Sequence, residues 1–131
     1  MRHRPAVGEE VVHEVVVTAD MTARLFDREV HPVYATAWMV RHVEEAGRLL
    51  VERHLSPDED ATGYRIELTH ERPVAIGERV TVRVRVIAVD DRGCTVIVEV
   101  RAGGDVVGTG RFVQRYVRRR AISAAGREGC E

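Results

Sequence analysis

Hydrophobic positions change their period along this chain, and the changes mark out its elements. Residues 10–18 (EVVHEVVVT) are rich in valine and read as a strand. Residues 19–35 follow no period, with Asp20, Asp27, His31 and Pro32 interrupting any pattern, and are expected to be irregular. Over residues 37–54 the apolar positions Val40, Val43, Gly47, Leu50 and Val51 recur at three- and four-residue steps, which predicts a helix. Its opposite face carries Arg41, Glu45, Arg48 and Glu52, two pairs at i,i+4 spacing. Ser56-Pro57-Asp58 stops it.

Beyond the helix the period becomes two. Tyr64, Ile66 and Leu68 alternate with Arg65, Glu67 and Thr69. Val80, Val82, Val84 and Val86 alternate with Arg79, Thr81, Arg83 and Arg85, and Val96, Val98 and Val100 with Ile97, Glu99 and Arg101. Residues 106–117 form a last strand-like run. Turn signals separate the runs at Gly77, at Asp90-Asp91-Arg92-Gly93 and at Gly103-Gly104-Asp105. The order is β-α-β-β-β-β, an α+β layer arrangement with one long helix on a five-stranded antiparallel sheet. Its last four strands read as a meander, and alternation on one side means one buried face. That order is the hot-dog topology, a coarse pattern that several other α+β folds share. Residues 118–131 have no pattern and are expected to form a flexible tail, leaving residues 1–117 as the domain.

A length of 131 residues, 44% hydrophobic and 31% charged, suits a single domain with one modest core. The net charge of −1 gives no general attraction to nucleic acid or an anionic membrane. All 20 Lys and Arg positions are arginine, which reads as the codon bias of a GC-rich genome rather than as chemistry, and a bacterial source is expected. Cys94 and Cys130 match neither a metal spacing nor a disulfide framework. Met1-Arg2-His3-Arg4 is followed by no apolar stretch, and no run approaches the roughly 18 apolar residues of a membrane span. A cytoplasmic protein is expected.

Candidate chemistry lies where the pattern fails. Glu44 sits four residues after Val40 and three before Gly47, near the apolar stripe, where a carboxylate is costly unless paired. Burial there would raise its pKa and make it a base or nucleophile. His70 continues the row Tyr64, Ile66, Leu68, so its ring is expected to point toward the helix from the strand's end. Together they form either an acid–base pair or a structural pair at the core margin. Thr36, just before the helix, is an N-cap residue or a group that orients a carboxylate. Eight helical residues span about 12 Å, so Thr36 and Glu44 cannot touch within one continuous helix. The free amides at the helix start, Ala37 among them, suit a developing oxyanion.

The stretch Tyr34-Ala35-Thr36-Ala37-Trp38-Met39-Val40, then Glu44-Glu45-Ala46, then Thr69-His70-Glu71-Arg72-Pro73 with Gly77 following, resembles the fluoroacetyl-CoA thioesterase family of hot-dog proteins. Gly108-Thr109-Gly110 adds to the likeness, which runs from about Thr36 to Val117. The resemblance implies an acyl-CoA thioesterase acting as a homodimer, or a higher oligomer, with its site at the subunit interface. No cofactor is implied beyond the coenzyme A of the substrate. Thr36, Glu44 and His70 match the family's catalytic threonine, glutamate and histidine, and Gly63 a glycine whose amide holds the thioester carbonyl. Glu44, or a water it activates, then attacks the carbonyl while His70 moves the proton. Phe26 is the lone phenylalanine before Thr36, and Phe112 and Gln114 stand where relatives carry His and Arg. Both differences point to a short or medium acyl group other than fluoroacetyl.

Other signals carry less. Asp27 and His31 resemble a hydratase pair one residue short in spacing, and an enoyl-CoA hydratase or dehydratase is one competing function. A non-catalytic acyl-CoA-binding module is the other. His42 and Glu45 stand three apart without further ligands, so no metal is expected. Arg115 and Arg118-Arg119-Arg120 are either contacts for CoA phosphates or a solvated basic run.

Overall fold

The computed structural model describes residues 4–129, so Met1–His3, Cys130 and Glu131 lie outside it. Five strands form one antiparallel sheet: β1 (Glu10–Val16), β4 (Glu59–His70), β5 (Arg79–Val89), β6 (Gly93–Ala102) and β7 (Asp105–Arg118). The helix α1 (Thr36–Val51) packs across one face. This is the hot-dog fold that the element order predicts.

The strand order is β1-β5-β6-β7-β4. Only β5, β6 and β7 form a meander. β4 precedes β5 in sequence yet lies at the opposite edge, paired with β7 from Glu59↔Arg118 to His70↔Gly108. Alternation reports which face is buried, not which strand is the neighbour, and it cannot distinguish the two arrangements. As a result β4 is an edge strand, and it presents an unpaired row of backbone groups along the side of the molecule.

The valine rows behave as their period demands. Val80, Val82, Val84, Val86, Val96, Val98 and Val100 are all buried against Met39, Val43, Ala46 and Leu50 of α1. Each buried valine contributes on the order of 1.5–3 kcal/mol relative to exposure. The β6–β7 turn is two residues long, Gly103 and Gly104, with φ of +58° and +85°. Both positions are left-handed, which is why glycine occupies both.

Three segments depart from the sequence expectation. Residues 19–35 are ordered: a short 3-10 turn leads into the hairpin of β2 (Thr22–Leu25) and β3 (Arg28–Tyr34). Its two-residue turn, Phe26 and Asp27, has positive φ at both non-glycine positions, so no glycine signals it. Residues 119–129, read as a patternless tail, form the helix α2 (Arg119–Gly129). Arg119 ties its start to β4 by donating to the carbonyls of Pro57 and Glu59. Finally, Tyr64 is 62% exposed and does not belong to the inward row. The register slips between Gly63 and Arg65, leaving Tyr64 as the extra residue of a bulge, so the inward positions run Glu59, Ala61, Gly63 and then Ile66, Leu68, His70.

Candidate functional site

Thr36 is the first residue of α1 rather than its cap. Ala35 takes the cap position, and no side chain caps the helix. The entry is fixed by backbone bonds instead: Tyr34 N–H donates to the Val74 carbonyl and Ala35 N–H to the Met21 carbonyl, both at 2.9 Å. In the first turn Trp38 N–H bonds back to the Ala35 carbonyl at 3.1 Å, and Ala37 is exposed with no side chain capping the helix.

His70 ends β4 beside this entry, and its ring turns toward the helix as the inward row predicts. Its Nδ1 and the Thr36 hydroxyl share a hydrogen bond of 2.8 Å. Its Nε2 is buried with no hydrogen-bond partner. Burial pushes the imidazole below its ordinary pKa, countered in part by the Arg72 backbone, which makes no hydrogen bond of normal geometry with Nε2. A neutral imidazole fixed at one nitrogen and free at the other is a proton acceptor or donor awaiting a ligand.

Glu44 is not part of this pair. It is exposed in the chain, so the burial expected for it does not occur. The buried stripe of α1 is Met39, His42, Val43, Ala46, Gly47, Leu50 and Val51, about one residue round from the stripe anchored on Val40, and Glu44 falls at its margin. Its carboxylate has no hydrogen-bond or ion-pair partner among the described residues. It reaches toward the β4 bulge, with Oε2 3.5 Å from where a β-carbon on Gly63 would lie. Together with Ala61, Gly63, Phe112 and Gln114 it lines an open cleft of about 320 Å³.

The floor of that cleft depends on Gly47. A β-carbon there would lie 2.7 Å from the Phe112 ring and 3.0 Å from Gln114 Nε2. The missing side chain lets Phe112 pack under the helix at 3% exposure, and lets Gln114 donate to the Gly47 carbonyl at 3.1 Å. Arg115 lies beyond, its guanidinium 3.8 Å from the Tyr64 ring centre at the mouth of the bulge. Arg118 and Arg119 instead pair with Asp58 and Asp60 and hold the base of β4.

One chain thus holds two separate groupings: Thr36 with His70, and Glu44 with Gly63. The roughly 12 Å of helix between Thr36 and Glu44 keeps them apart. Sequence reading missed a third group. His42 is 2% exposed and Tyr34 1%, and the Tyr34 hydroxyl lies 2.5 Å from His42 Nδ1. His13 Nε2 and Glu45 Oε1 are 3.0 Å apart at the outer end of this cluster. The signal for His42 was its place one residue before Val43, within the true stripe. Asp27 and His31 lie exposed on the β2–β3 hairpin, and no group of three or more potential metal ligands occurs among the described residues.

The family model described as fluoroacetyl-CoA-specific thioesterase matches residues 17–120. A Thermus thermophilus protein described as a thioesterase superfamily member superposes with a TM-score of 0.90 at 37% identity, over 95% of this chain and 93% of that one. The fluoroacetyl-CoA thioesterase FlK superposes with a TM-score of 0.89 at 27% identity, over 95% of this chain and 97% of the other. A hot-dog-like protein from Thermanaerovibrio acidaminovorans, 17% identical with a TM-score of 0.82 over 93% and 90% of the two chains, shares the fold. No curated protein sequence matches.

Proposed function

Because the chain belongs to the fluoroacetyl-CoA-specific thioesterase family of hot-dog proteins, we propose that it hydrolyses a short or medium acyl-CoA at a site assembled from two subunits, with Glu44 and Gly63 from one and Thr36 and His70 from the other. Membership makes it an acyl-CoA thioester hydrolase. The observation that carries the composite site is the two separate groupings on one chain together with the open edge of β4.

An antiparallel pairing of two β4 edges about a two-fold axis at Glu67 sets Ile66 opposite Leu68 and the Gly63–Tyr64 bulge opposite His70 of the partner subunit. A two-fold interface is self-complementary, so the arrangement repeats and gives two sites per dimer. It also covers Ile66 and Leu68, which are half-buried on the inner face. Gly63, opposite Gln114 in the β4–β7 ladder, adjoins the bulge on the open edge, where an amide can hold the thioester oxygen. Glu44, unpaired and beside it, attacks the carbonyl directly or through a water.

In direct attack the carboxylate forms a mixed anhydride as the C–S bond breaks, the CoA thiolate leaves and is protonated from solvent, and the neutral His70 accepts a proton from the water of the second step. Water then cleaves the anhydride to release the free acid and return the carboxylate. In the alternative, Glu44 takes the proton of the attacking water and no anhydride forms. Both routes place Thr36 as the group that fixes His70 through Nδ1 and leaves Nε2 for the reaction. Phe112 makes the wall beside Glu44 apolar, which suits an apolar acyl group.

The test is thiol release from short, medium and aromatic acyl-CoAs by the wild type and by Glu44→Ala. Release by the wild type that falls by about 10²-fold or more in the variant supports the proposal. Equal release by both removes Glu44 from the chemistry.

A further inference from the structure

His70 is oriented by two directional contacts, a hydrogen bond and a ring edge. One hydrogen bond, to Thr36, restrains Nδ1, and no partner restrains Nε2. A single bond of that kind leaves the ring free to turn about it. The second restraint is the edge-on ring of Tyr34, whose centre is 6.1 Å from that of His70 with the planes at 71°. Tyr34 in turn is fixed from behind. Its hydroxyl lies 2.5 Å from His42 Nδ1, and the two rings are nearly parallel at 11°.

A polar pair is a costly way to fill a buried space that Phe and Leu would also fill. Such pairs gain in orientation what they cost in desolvation, because each partner has one geometry that satisfies the other. We infer that Tyr34 and His42 are a positioning pair for His70, the hydroxyl–imidazole bond holding the Tyr34 ring at the angle that sets the plane of the His70 imidazole. This rests on the assignment of His70 to the reacting site made above.

The balance of groups around His42 favours a neutral acceptor at Nδ1. Burial is the largest influence and lowers its pKa, with Glu45 on α1 opposing this, and His13 on β1 and Arg41 on α1 adding to it. Burial also raises the Tyr34 hydroxyl well above its ordinary value, so it keeps its proton and donates. Trp38 tilts against His42 from one side with ring centres 5.7 Å apart, and His13 meets it edge-on at 6.1 Å. The pair is enclosed and touches neither Glu44 nor Gly63, so substrate binding does not depend on it directly.

The experiment compares kcat, KM and the imidazole resonances of His70 in the wild type, Tyr34→Phe, His42→Leu, the double variant and His42→Asn. Tyr34→Phe keeps the ring and loses only the hydroxyl. Asparagine can place an amide oxygen where Nδ1 accepts. Each of Tyr34→Phe and His42→Leu is expected to lower kcat by about tenfold or more at nearly constant KM. The double variant is expected to be no worse than the poorer single, because the two act as one unit. His42→Asn restores kcat and the His70 resonances toward wild type. Folded single variants with wild-type kcat, losses that multiply in the double variant, or unmoved His70 resonances overturn the inference. If the wild type releases no thiol from any acyl-CoA, the thioesterase reading fails, and the resonances decide the positioning role without it.

Discussion

Glu44→Ala and His70→Ala are each expected to be inactive alone and to regain activity when mixed. The reason is the separation of the half-sites. Reacting groups must come within about 3–3.5 Å of one carbonyl. Thr36, which touches His70, lies about 12 Å along α1 from Glu44. No movement of side chains alone closes that gap, so the proposed Glu44–His70 set draws its two members from different subunits. In a heterodimer of the two variants, one site inherits both substitutions and the other inherits neither. Free exchange makes about half of the dimers mixed, and half of their sites intact, so the mixture recovers about one quarter of wild-type activity. The assay is thiol release after co-refolding the variants, with native mass spectrometry to count the heterodimers. Heterodimers in the expected proportion with no activity above the separate variants would refute the composite site.

Three further outcomes follow from the same geometry. Gly47→Ala forces a β-carbon to within 2.7 Å of the Phe112 ring, an overpacking that costs about 1–3 kcal/mol. It is expected to lower Tm by several degrees in a melting scan and to alter acyl preference as the ring shifts. Burial holds both His42 and His70 below the ordinary imidazole value of 6.5, so each binds its proton less readily folded than unfolded. The stability they contribute is complete above the unfolded value and is lost as pH falls through the folded ones. Tm is thus expected to decline as pH drops below about 6.5, less steeply in His42→Leu. For the same reason the acid limb of kcat/KM, where a neutral His70 is needed, is expected to lie below that value.

The fold was legible because the rows that carry it are regular. The valines of β5 and β6 alternate without a slip along their buried stretch, and the 3.6-residue stripe of α1 appears once between two stretches of period two. What stayed hidden was long-range or irregular. Nothing local says that β4 pairs with β7 rather than β5, and the bulge at Tyr64 appears only as a slipped register between two strands. The hairpin turn at Phe26 and Asp27 uses left-handed residues without glycine, so the expected turn signal is missing.

The site was legible in part. His70 was expected to point toward the helix from the strand's end and does so, reaching Thr36 at the helix start. Glu44 was placed by a stripe anchored one residue off, because Val40 is only half-buried while Met39 is fully so. The same offset concealed His42, which a rule placing histidine on the polar side treats as surface. Its partner Tyr34 lies outside the helix, so no helical period could link them.

The most direct measurement is the rate of thiol release by Glu44→Gln beside the wild type, on the acyl-CoA the wild type turns over fastest. Glutamine keeps the size and reach of the side chain and removes only its charge and basicity. The account predicts a folded variant with near-normal KM and kcat reduced by about 10²-fold or more. A Glu44→Gln enzyme as fast as the wild type would contradict it.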